Sequence, residues 1–358
     1  MLSEEDTTAP AEQPEDTKPA AETHPVAGGK LQGENLDQLS GSTDLSPLQA
    51  AVDRIRAEVG KIIVGQRKML DQMIAALLAD GHILIEGVPG VAKTLTAKLL
   101  ARAVSVGFSR IQFTPDLMPA DVIGTNVFDP KTQSFDFHKG PVFANMVLID
   151  EINRSPAKTQ AALFEVMEER QITVDGTRYP LPPPFMVMAT QNPVEHEGTY
   201  RLPEAQLDRF LFLVEVGYPS QEEEAEILHG FNNRDGKQGL NSVTSVLEQE
   251  DLLKYREEVR KIRIEKQLID YISRLVHQTR NDPALFLGAS PRASLAIMHG
   301  AKAYAAMDGR DFVTPEDIRM VTFPVLKHRI ILTPEQEMEG VSTHQVIERL
   351  VENLEVPR

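Results

Sequence analysis

The 358-residue sequence contains no cysteine, which excludes disulfide bonds and thiolate metal sites. It also lacks any run that approaches the roughly 18 apolar residues of a membrane-spanning helix. Its first residues, MLSEEDTTAP, are acidic and do not show the basic-then-apolar pattern of a secretion signal. These absences predict a cytoplasmic protein without a membrane span.

Positive charge is scarce as well. The formal net charge is −16, and about half of it lies in residues 1–45, where ten acidic residues face two lysines. Generalised nucleic-acid binding needs a basic surface, so the composition argues against it while leaving a local basic pore open. Residues 1–45 also contain four prolines and no aromatic residue. Such a segment buries too little apolar surface to become ordered, and we predict a disordered acidic tail.

The remaining chain is long enough for two domains, and order is expected to begin at Ser46, a candidate helix cap followed by Pro47. Short apolar runs then alternate with helical segments. The runs are HILIEG, RIQFTP, NMVLIDE, PFMVMATQNP and FLFLVEV. This alternation predicts right-handed β-α-β units and a parallel sheet covered by helices on both faces. From about Ser220 the pattern becomes mostly helical, which predicts a second, helical domain.

The stretch GVPGVAKT, residues 87–94, connects the run HILIEG to a predicted helix. A phosphate-binding loop reads G-x-x-x-x-G-K-[ST], but here Ala92 stands before Lys93. In such a loop the backbone N–H groups hold phosphate oxygens, Lys93 reaches the terminal phosphates and Thr94 binds Mg²⁺. Ala92 fits this geometry if its φ is negative. The alternative is a plain strand-to-helix connector.

Two further runs end in polar residues that suit nucleotide hydrolysis. NMVLIDE ends in Asp150 and Glu151, and acids at the carboxyl end of a parallel strand face the ligand crevice. Asp150 would orient the Mg²⁺ water shell, and Glu151 would act as the general base on the attacking water. FMVMATQNP ends in Gln191 and Asn192, whose amides could contact that water.

Four segments together resemble the MoxR family of AAA+ ATPases, in the clade with an insert in helix 2. They are GVPGVAKT, IDEINRSPAKTQAALFEVMEERQITVDG, ATQNPVEHEGTYRLPEAQLDRF and GASPRASL, and the resemblance runs from about Ile63 to Ile330. Alanine before the loop lysine is the family's own pattern. The resemblance implies an α/β fold with a P-loop AAA+ domain, a parallel five-stranded sheet flanked by helices, and a smaller all-α lid domain. The predicted boundaries are 1–45 for the tail, 46–218 for the AAA+ core and 219–358 for the lid.

The resemblance also implies roles for individual residues. Asn192 corresponds to sensor 1, Arg209 to the arginine finger offered to a neighbouring subunit, and Arg292 to sensor 2 on the lid; Arg201 is a weaker candidate for a second finger. The catalytic residues would be Glu151, Asn192, Arg209 and Arg292, and the metal ligands Thr94 and Asp150. The residues expected to bind nucleotide are Val64, Gly65, Gln66, Gly87, Val88, Pro89, Gly90, Val91, Ala92, Lys93, Thr94 and Leu95.

Two segments resemble the β-hairpins that this clade inserts into the AAA+ core. GTNVFDPKTQSFDFHKGPVF corresponds to the hairpin within helix 2, and QITVDGTRYPLP to the hairpin before sensor 1. The second alternates around Asp175-Gly176, a two-residue turn signal. In the clade these hairpins face the central pore or the client, whereas the simpler interpretation is loop decoration.

The resulting hypothesis is a Mg²⁺-dependent ATPase that converts ATP and water to ADP and phosphate and remodels partner proteins as a chaperone does. The resemblance implies a homo-oligomer, a hexameric ring, and clients that carry von Willebrand factor A domains. Two alternatives remain open. A DNA-acting motor would share both hairpins, although the turn VDGT carries an acid at its tip. A nucleotide-gated binding module would show little hydrolysis, which the presence of Glu151 and Arg209 argues against.

Overall fold

The computed structural model describes residues 43–191, 200, 202–233 and 239–357. Most of the predicted acidic tail, residues 1–42, therefore lies outside the described part. Leu45, which the sequence assigned to the tail, is buried in the core at 1% exposure. Among the described helices, none has the length and apolar character needed to cross a membrane.

The first half of the described chain alternates between helices and strands. Its elements are α1 (Ser46–Gly60), α2 (Arg67–Leu78), β1 (His82–Gly87), α3 (Lys93–Ala103), β2 (Phe108–Gln112), α4 (Pro119–Ile123), β3 (Gly124–Asp129), β4 (Ser134–Lys139), β5 (Met146–Asp150), α5 (Ala157–Glu169), β6 (Gln171–Val174), β7 (Thr177–Pro180), β8 (Met186–Gln191), α6 (Glu204–Leu207) and β9 (Phe210–Val216). All five apolar runs that the sequence assigned to strands overlap β1, β2, β5, β8 and β9.

These five strands form the predicted parallel sheet, and their order in it is β2-β5-β8-β1-β9. Alternate residues of a strand face opposite sides, and β1 contributes Ile83 and Ile85 to one apolar layer and Leu84 to the other. Both faces are therefore covered. Because every strand is parallel, all carboxyl ends lie at one edge of the sheet and all amino ends at the opposite edge.

The start of α1 differs slightly from the prediction. Ser46 is the first helical residue rather than the cap, since Leu45 precedes the helix and makes no side-chain capping bond. The backbone N–H of Ser46 donates instead to Asp44 Oδ1 at 3.0 Å. The side-chain acceptor at the start of α1 is thus the carboxylate of Asp44, two residues before Ser46, and not the serine hydroxyl that we predicted.

Both predicted hairpins are present as antiparallel pairs, β3–β4 and β6–β7. The turn of the second has φ of +49° at Asp175 and +79° at Gly176, as a two-residue hairpin turn requires. The hairpins contact each other, because Phe137 stacks on Tyr179 with ring centroids 4.2 Å apart and the Asn126 amide donates to the Asp175 carboxylate.

The second half is mostly helical and packs on the same apolar layer as Ile83 and Ile85. Its elements are α7 (Gln221–Asn233), α8 (Gln249–Lys261), α9 (Lys266–Thr279), β10 (Leu285–Leu287), α10 (Pro291–Met307), α11 (Pro315–Leu326), β11 (Ile331–Leu332), α12 (Pro334–Met338) and α13 (Thr343–Glu352). Buried Arg329 joins this half to the start of β9, since its Nε donates to Asp208 Oδ1 at 2.7 Å and its Nη2 to the Phe210 carbonyl at 2.6 Å.

Candidate functional site

The loop between β1 and α3 has the geometry of a phosphate cradle. Gly90 has φ of +88°, in the left-handed region that favours glycine. Gly87 must lack a side chain for another reason, because a Cβ there would lie 2.5 Å from the Val216 carbonyl oxygen of β9. The loop ends at the first turn of α3, whose free N–H groups and positive dipole end can attract phosphate oxygens.

Ala92 does not have the negative φ that the sequence analysis required for an alanine at this position of the loop. Its φ is +59°, so the residue before Lys93 adopts the left-handed conformation that glycine takes more easily. The loop thus keeps the conformation of the usual glycine-containing motif and holds an alanine in it. Sequence reasoning missed this because the residue type alone does not fix the sign of φ.

Lys93 begins α3 and its side chain folds back over the loop, with Nζ donating to the Gly87 carbonyl oxygen at 2.6 Å. Partial burial lowers the pKa of the Lys93 amine, while the charges of Asp150 and Glu151 act in the opposite direction. A partly desolvated ammonium at a loop that leads into a helix amino end is suited to bind a phosphate.

The two acids at the end of β5, Asp150 within the strand and Glu151 just after it, lie beside this loop at the carboxyl edge of the sheet. Asp150 is buried, and its Oδ1 accepts from the Thr190 hydroxyl at 3.3 Å. The backbone N–H of Glu151 donates to the same hydroxyl at 3.0 Å, and Glu151 has φ of +58°. This left-handed residue turns the Glu151 carboxylate away from the strand direction.

Neighbouring side chains that the sequence analysis did not identify hold both acids. Arg110 Nε donates to Asp150 Oδ2 at 2.6 Å, and Gln112 Nε2 donates to Glu151 Oε2 at 2.8 Å. Both come from β2, which pairs with β5 so that Gln112 lies opposite Asp150. The sequence gives no signal for them, since their role depends on which strand neighbours β5.

An apolar cavity of about 240 Å³ opens beside the phosphate loop. It brings together the predicted residues Val64, Gln66, Gly90, Val91, Ala92 and Leu95 with the unpredicted Ile62, Ile63, Pro219, Ile227 and Phe231. Such a cavity, adjacent to a phosphate cradle, can take a flat apolar group such as a purine base. Ile227 and Phe231 belong to α7, none of whose residues is buried.

The oxygen donors at this edge fit Mg²⁺. In the described ranges no three His, Cys, Asp or Glu side chains converge in a way that would cage a metal ion. Mg²⁺ usually takes one or two protein oxygens and completes its shell with phosphates and water. The Thr94 hydroxyl, at the start of α3, and the Asp150 carboxylate, at the end of β5, are donors of that kind.

Arg209 lies at the opposite edge of the sheet. It immediately precedes β9, whose first residue Phe210 pairs with His82 at the start of β1. The phosphate loop begins at Gly87, at the other end of the same strand. With a rise of about 3.3 Å per residue, β1 separates the two positions by roughly 16 Å.

Arg292 meets Arg209 at this amino edge. It lies in the first turn of α10, and its Nη2 donates to Glu168 Oε1 at 2.8 Å. The other oxygen of the same carboxylate, Oε2, lies 3.3 Å from Arg209 Nε. Both arginines line a cavity of about 400 Å³ together with residues from the start of β1. The structure therefore brings the two arginines together, far from the loop of their own chain.

Two predicted residues, Asn192 and Arg201, lie outside the described ranges. Gln191 is the last described residue before that gap and ends β8, in register with Glu86 of β1. β8 thus directs the chain towards the edge that carries the phosphate loop, Asp150 and Glu151. The roles of Asn192 and Arg201 stay predictions from the sequence.

Comparison with known proteins agrees with this architecture. Residues 82–212 match the family described as "ATPase family associated with various cellular activities (AAA)", and residues 277–350 match the AAA lid domain. The chain is 46% identical to Chaperone MoxR1 of Mycobacterium tuberculosis over 329 residues, covering 89% of this chain and 85% of that protein. It is 44% identical to the uncharacterized protein YeaC of Bacillus subtilis, covering 88% and 96% of the two chains.

Similarity extends to a solved structure. A crystal structure of a proposed ATPase from Cytophaga hutchinsonii superimposes with a TM-score of 0.82 at 43% identity, covering 88% of this chain and 97% of that one. The alignment includes nearly all of the other chain, so the core and the helical part share one common arrangement.

Proposed function

Because this chain belongs to the MoxR family of AAA+ ATPases, we propose that it hydrolyses ATP at sites shared between neighbouring subunits of a ring and uses that cycle to remodel partner proteins. The observation that carries the proposal is the position of Arg209 and Arg292, at the sheet edge opposite the phosphate loop. The roughly 16 Å of strand between this edge and the phosphate loop favours a nucleotide bound to a neighbouring subunit over one bound to the same chain.

Within one subunit, the loop of residues 87–94 would hold the phosphates and the apolar cavity beside it the base. Lys93 would bind the terminal phosphates, and Thr94 and Asp150 would hold Mg²⁺, which neutralises phosphate charge. Glu151 would draw a proton from the attacking water. Gln112 orients the Glu151 carboxylate through the 2.8 Å hydrogen bond between them.

The neighbouring subunit would supply the remaining charge. Negative charge spreads over the transferred phosphoryl oxygens in the transition state, and arginines placed against them raise the rate by about 10³–10⁵ in related enzymes. A contact that joins the amino edge of one subunit to the carboxyl edge of the next is head-to-tail, and such contacts close into a ring when the rotation between subunits allows it. The hexameric ring size and the cytoplasmic location are expectations from the sequence.

The hairpins β3–β4 and β6–β7 would form the client-facing surface. Phe128 and Phe135 pack on each other near the β3–β4 turn and remain 49% and 70% exposed. The acid at the other turn, Asp175, is bonded to Asn126, so that turn presents a carboxylate rather than a basic side chain. The clients we propose, proteins with von Willebrand factor A domains, rest on family resemblance; failure of a Glu151→Gln variant with ATP to bind such domains would contradict the assignment.

Mixing two inactive variants tests the shared site. Arg209→Ala should keep ATP affinity and lose turnover, whereas Lys93→Ala should lose ATP binding. In a mixed ring, an Arg209→Ala subunit that binds ATP can meet the intact arginine of a Lys93→Ala neighbour, so partial activity should return. It should rise with protein concentration as rings assemble.

The matched control is Arg274→Ala, which removes an exposed arginine from α9 and should leave turnover unchanged. A mixture that stays inactive, although light scattering and affinity tags show mixed rings, contradicts the trans role. Full turnover by Arg209→Ala alone contradicts it more directly, and Arg201 then becomes the next candidate.

A further inference from the structure

Glu168, the last acid but one of α5, contacts both arginines of the amino edge through different oxygens. Its Oε1 accepts from Arg292 Nη2 at 2.8 Å, and its Oε2 lies 3.3 Å from Arg209 Nε. We propose that Glu168 is a positioning residue that holds these two guanidinium groups in place for the nucleotide of the neighbouring subunit. The inference rests on the shared site proposed above and adds a residue that neither the motifs nor the family match identifies.

The α5 surface fixes the orientation of Arg209 at two points. Its guanidinium carbon lies 5.9 Å from the ring centroid of Phe164, one helical turn before Glu168 on the same face of α5. The carboxylate lies at an ion-pair distance from Nε, which makes no hydrogen bond, and an arginine carries four more N–H groups on its terminal nitrogens. Glu168 can therefore hold Arg209 by one edge while the terminal nitrogens bind a phosphate.

Arg292 reaches the same carboxylate from the helical part of the chain. The Ser290 hydroxyl, which caps α10, accepts from the Arg292 backbone N–H at 3.1 Å and donates to Asp208 Oδ2 at 2.7 Å. Asp208 directly precedes Arg209. The backbones of both arginines are thus connected through Ser290 and Asp208, and their side chains through Glu168.

Glu168 stands on a rigid support. α5 is followed directly by Arg170, a left-handed residue whose Nη1 and Nη2 donate to the side chain and the backbone carbonyl of Asp80 at 2.8 and 2.7 Å. Arg256, from α8, donates to the same Asp80 carboxylate at 2.6 Å. The last turn of α5 is therefore tied to the start of β1 and to the helical part.

A carboxylate is needed here because two guanidinium groups repel each other. The three side chains are 29% (Arg209), 40% (Glu168) and 49% (Arg292) exposed, so solvent screens the ion pairs and their direct contribution to stability is small. The effect of Glu168 is therefore geometric: one negative charge between two positive ones lets them lie together and leaves one net positive charge for a phosphate.

The first test compares Glu168→Gln with Glu169→Gln. The second variant also removes one negative charge, from the next residue at the same exposed end of α5. Glu168→Gln should lower kcat by about 10-fold to 100-fold, the loss typical of a displaced catalytic group, with KM for ATP and nucleotide affinity unchanged. Glu169→Gln should behave as wild type. Glu168→Asp keeps the charge on a shorter arm and should recover part of kcat.

The second test asks whether Glu168 acts through the arginines. If it does, adding Glu168→Gln to an Arg209→Ala, Arg292→Ala background should produce no further loss, since groups that work as a unit are not additive. Mixing Glu168→Gln with Lys93→Ala should restore activity, because the Lys93→Ala neighbour supplies an intact arginine pair.

Three results would overturn the inference. The first is a wild-type kcat in Glu168→Gln. The second is that Glu168→Gln lowers the residual kcat of the Arg209→Ala, Arg292→Ala variant by the same factor as it lowers wild-type kcat, and the third is that Glu168→Gln weakens nucleotide binding to the subunit that carries it. The melting temperature of each variant shows whether it folds. If Glu168→Gln does not fold, Glu168→Asp takes its place, and a wild-type melting temperature together with a wild-type kcat in that variant also contradicts the inference. The two proposals fail separately. Full turnover by Arg209→Ala contradicts the shared site, whereas an inactive Arg209→Ala with a fully active Glu168→Gln contradicts only the role of Glu168.

Discussion

At the carboxyl edge of the sheet the chain presents backbone N–H groups, one lysine and the carboxylates of Asp150 and Glu151, whereas at the amino edge it presents a group of cations. The cavity at the amino edge is lined by six arginine and lysine side chains against three acidic ones, so it is positive on a chain whose net charge is −16. One edge can bind a nucleotide and activate water. The other can only stabilise negative charge that comes from elsewhere.

The two edges also differ in how their charges are held. Each acid at the carboxyl edge is oriented by two nearby side chains, Asp150 by Arg110 and Thr190, and Glu151 by Gln112 and Arg154. The arginines at the amino edge are held by a network that joins α5, the start of β9 and α10 through Glu168 and Asp208. A change in the angle between core and helical part would therefore move the arginines and leave the loop intact, which is how nucleotide state could be transmitted around a ring.

The largest effect expected from the carboxyl edge is that of Glu151→Gln. Turnover should fall by about 10²-fold or more, because an amide cannot accept the proton of the attacking water. Affinity for ATP with Mg²⁺ should stay nearly unchanged, since Glu151 is not a proposed ligand. Steady-state phosphate release and calorimetric titration measure the two quantities.

Asp150→Asn serves as the contrasting variant, because it changes the neighbouring acid in the same chemical way. It should lower Mg²⁺-dependent nucleotide affinity as well as turnover. If Glu151→Gln loses affinity as strongly as turnover, Glu151 is a ligand or a structural residue, and the division of labour between these two acids is wrong.

Local patterns in the sequence were sufficient to predict the parallel sheet, the turn of the β6–β7 hairpin and the sequence positions of the loop and of Asp150 and Glu151, whereas the β3–β4 hairpin was predicted from family resemblance. These features depend on residues close in the chain. The contact between Glu168 and Arg292 spans 124 residues, and the one between Gln112 and Glu151 spans 39. Such pairs depend on which elements become neighbours, which no local pattern determines. The φ of Ala92 escaped prediction for another reason, because the closed loop imposes it against the preference of alanine.

At the amino edge, His82 makes stability sensitive to acid. Its ring is buried between the Met167 carbonyl, at 3.2 Å from Nε2, and the Val187 N–H, which donates to Nδ1 at 2.9 Å. Burial, aided by Arg170, lowers the pKa of His82 to about 4. A histidine with a depressed pKa contributes stability that is complete above the ordinary pKa of about 6.5 and is lost as the pH falls towards 4.

From pH 7 to pH 5, the difference in unfolding free energy between wild type and His82→Gln should shrink by about 2 kcal/mol, near 1.4 kcal/mol for each pH unit below 6.5. Comparison with the variant cancels other groups, such as Glu86, whose pKa burial raises. His138→Gln, which replaces an exposed histidine of β4, is the control. A pH-independent difference for His82→Gln would show that the pKa of the ring is not depressed in the folded protein.

The smallest effect concerns backbone strain, which both edges contain. Asp80 and Arg170 at the amino edge and Ala92 at the carboxyl edge all have positive φ. The first two bond to each other, whereas a methyl group forms no bond that could offset the strain. Ala92→Gly should therefore raise the unfolding free energy by about 0.5–1 kcal/mol, the left-handed penalty of alanine less the extra flexibility of glycine in the unfolded chain.

The control for Ala92→Gly is Ala161→Gly, which makes the same change at an exposed position inside α5 and should lower the unfolding free energy by about 1 kcal/mol. Opposite signs from one chemical change would isolate the sign of φ as the cause. ATPase activity of Ala92→Gly should match wild type, because glycine keeps the loop conformation that holds Lys93. If both variants destabilise equally, Ala92 is not left-handed in solution, and the match between this loop and a phosphate cradle at the carboxyl edge loses its geometric support.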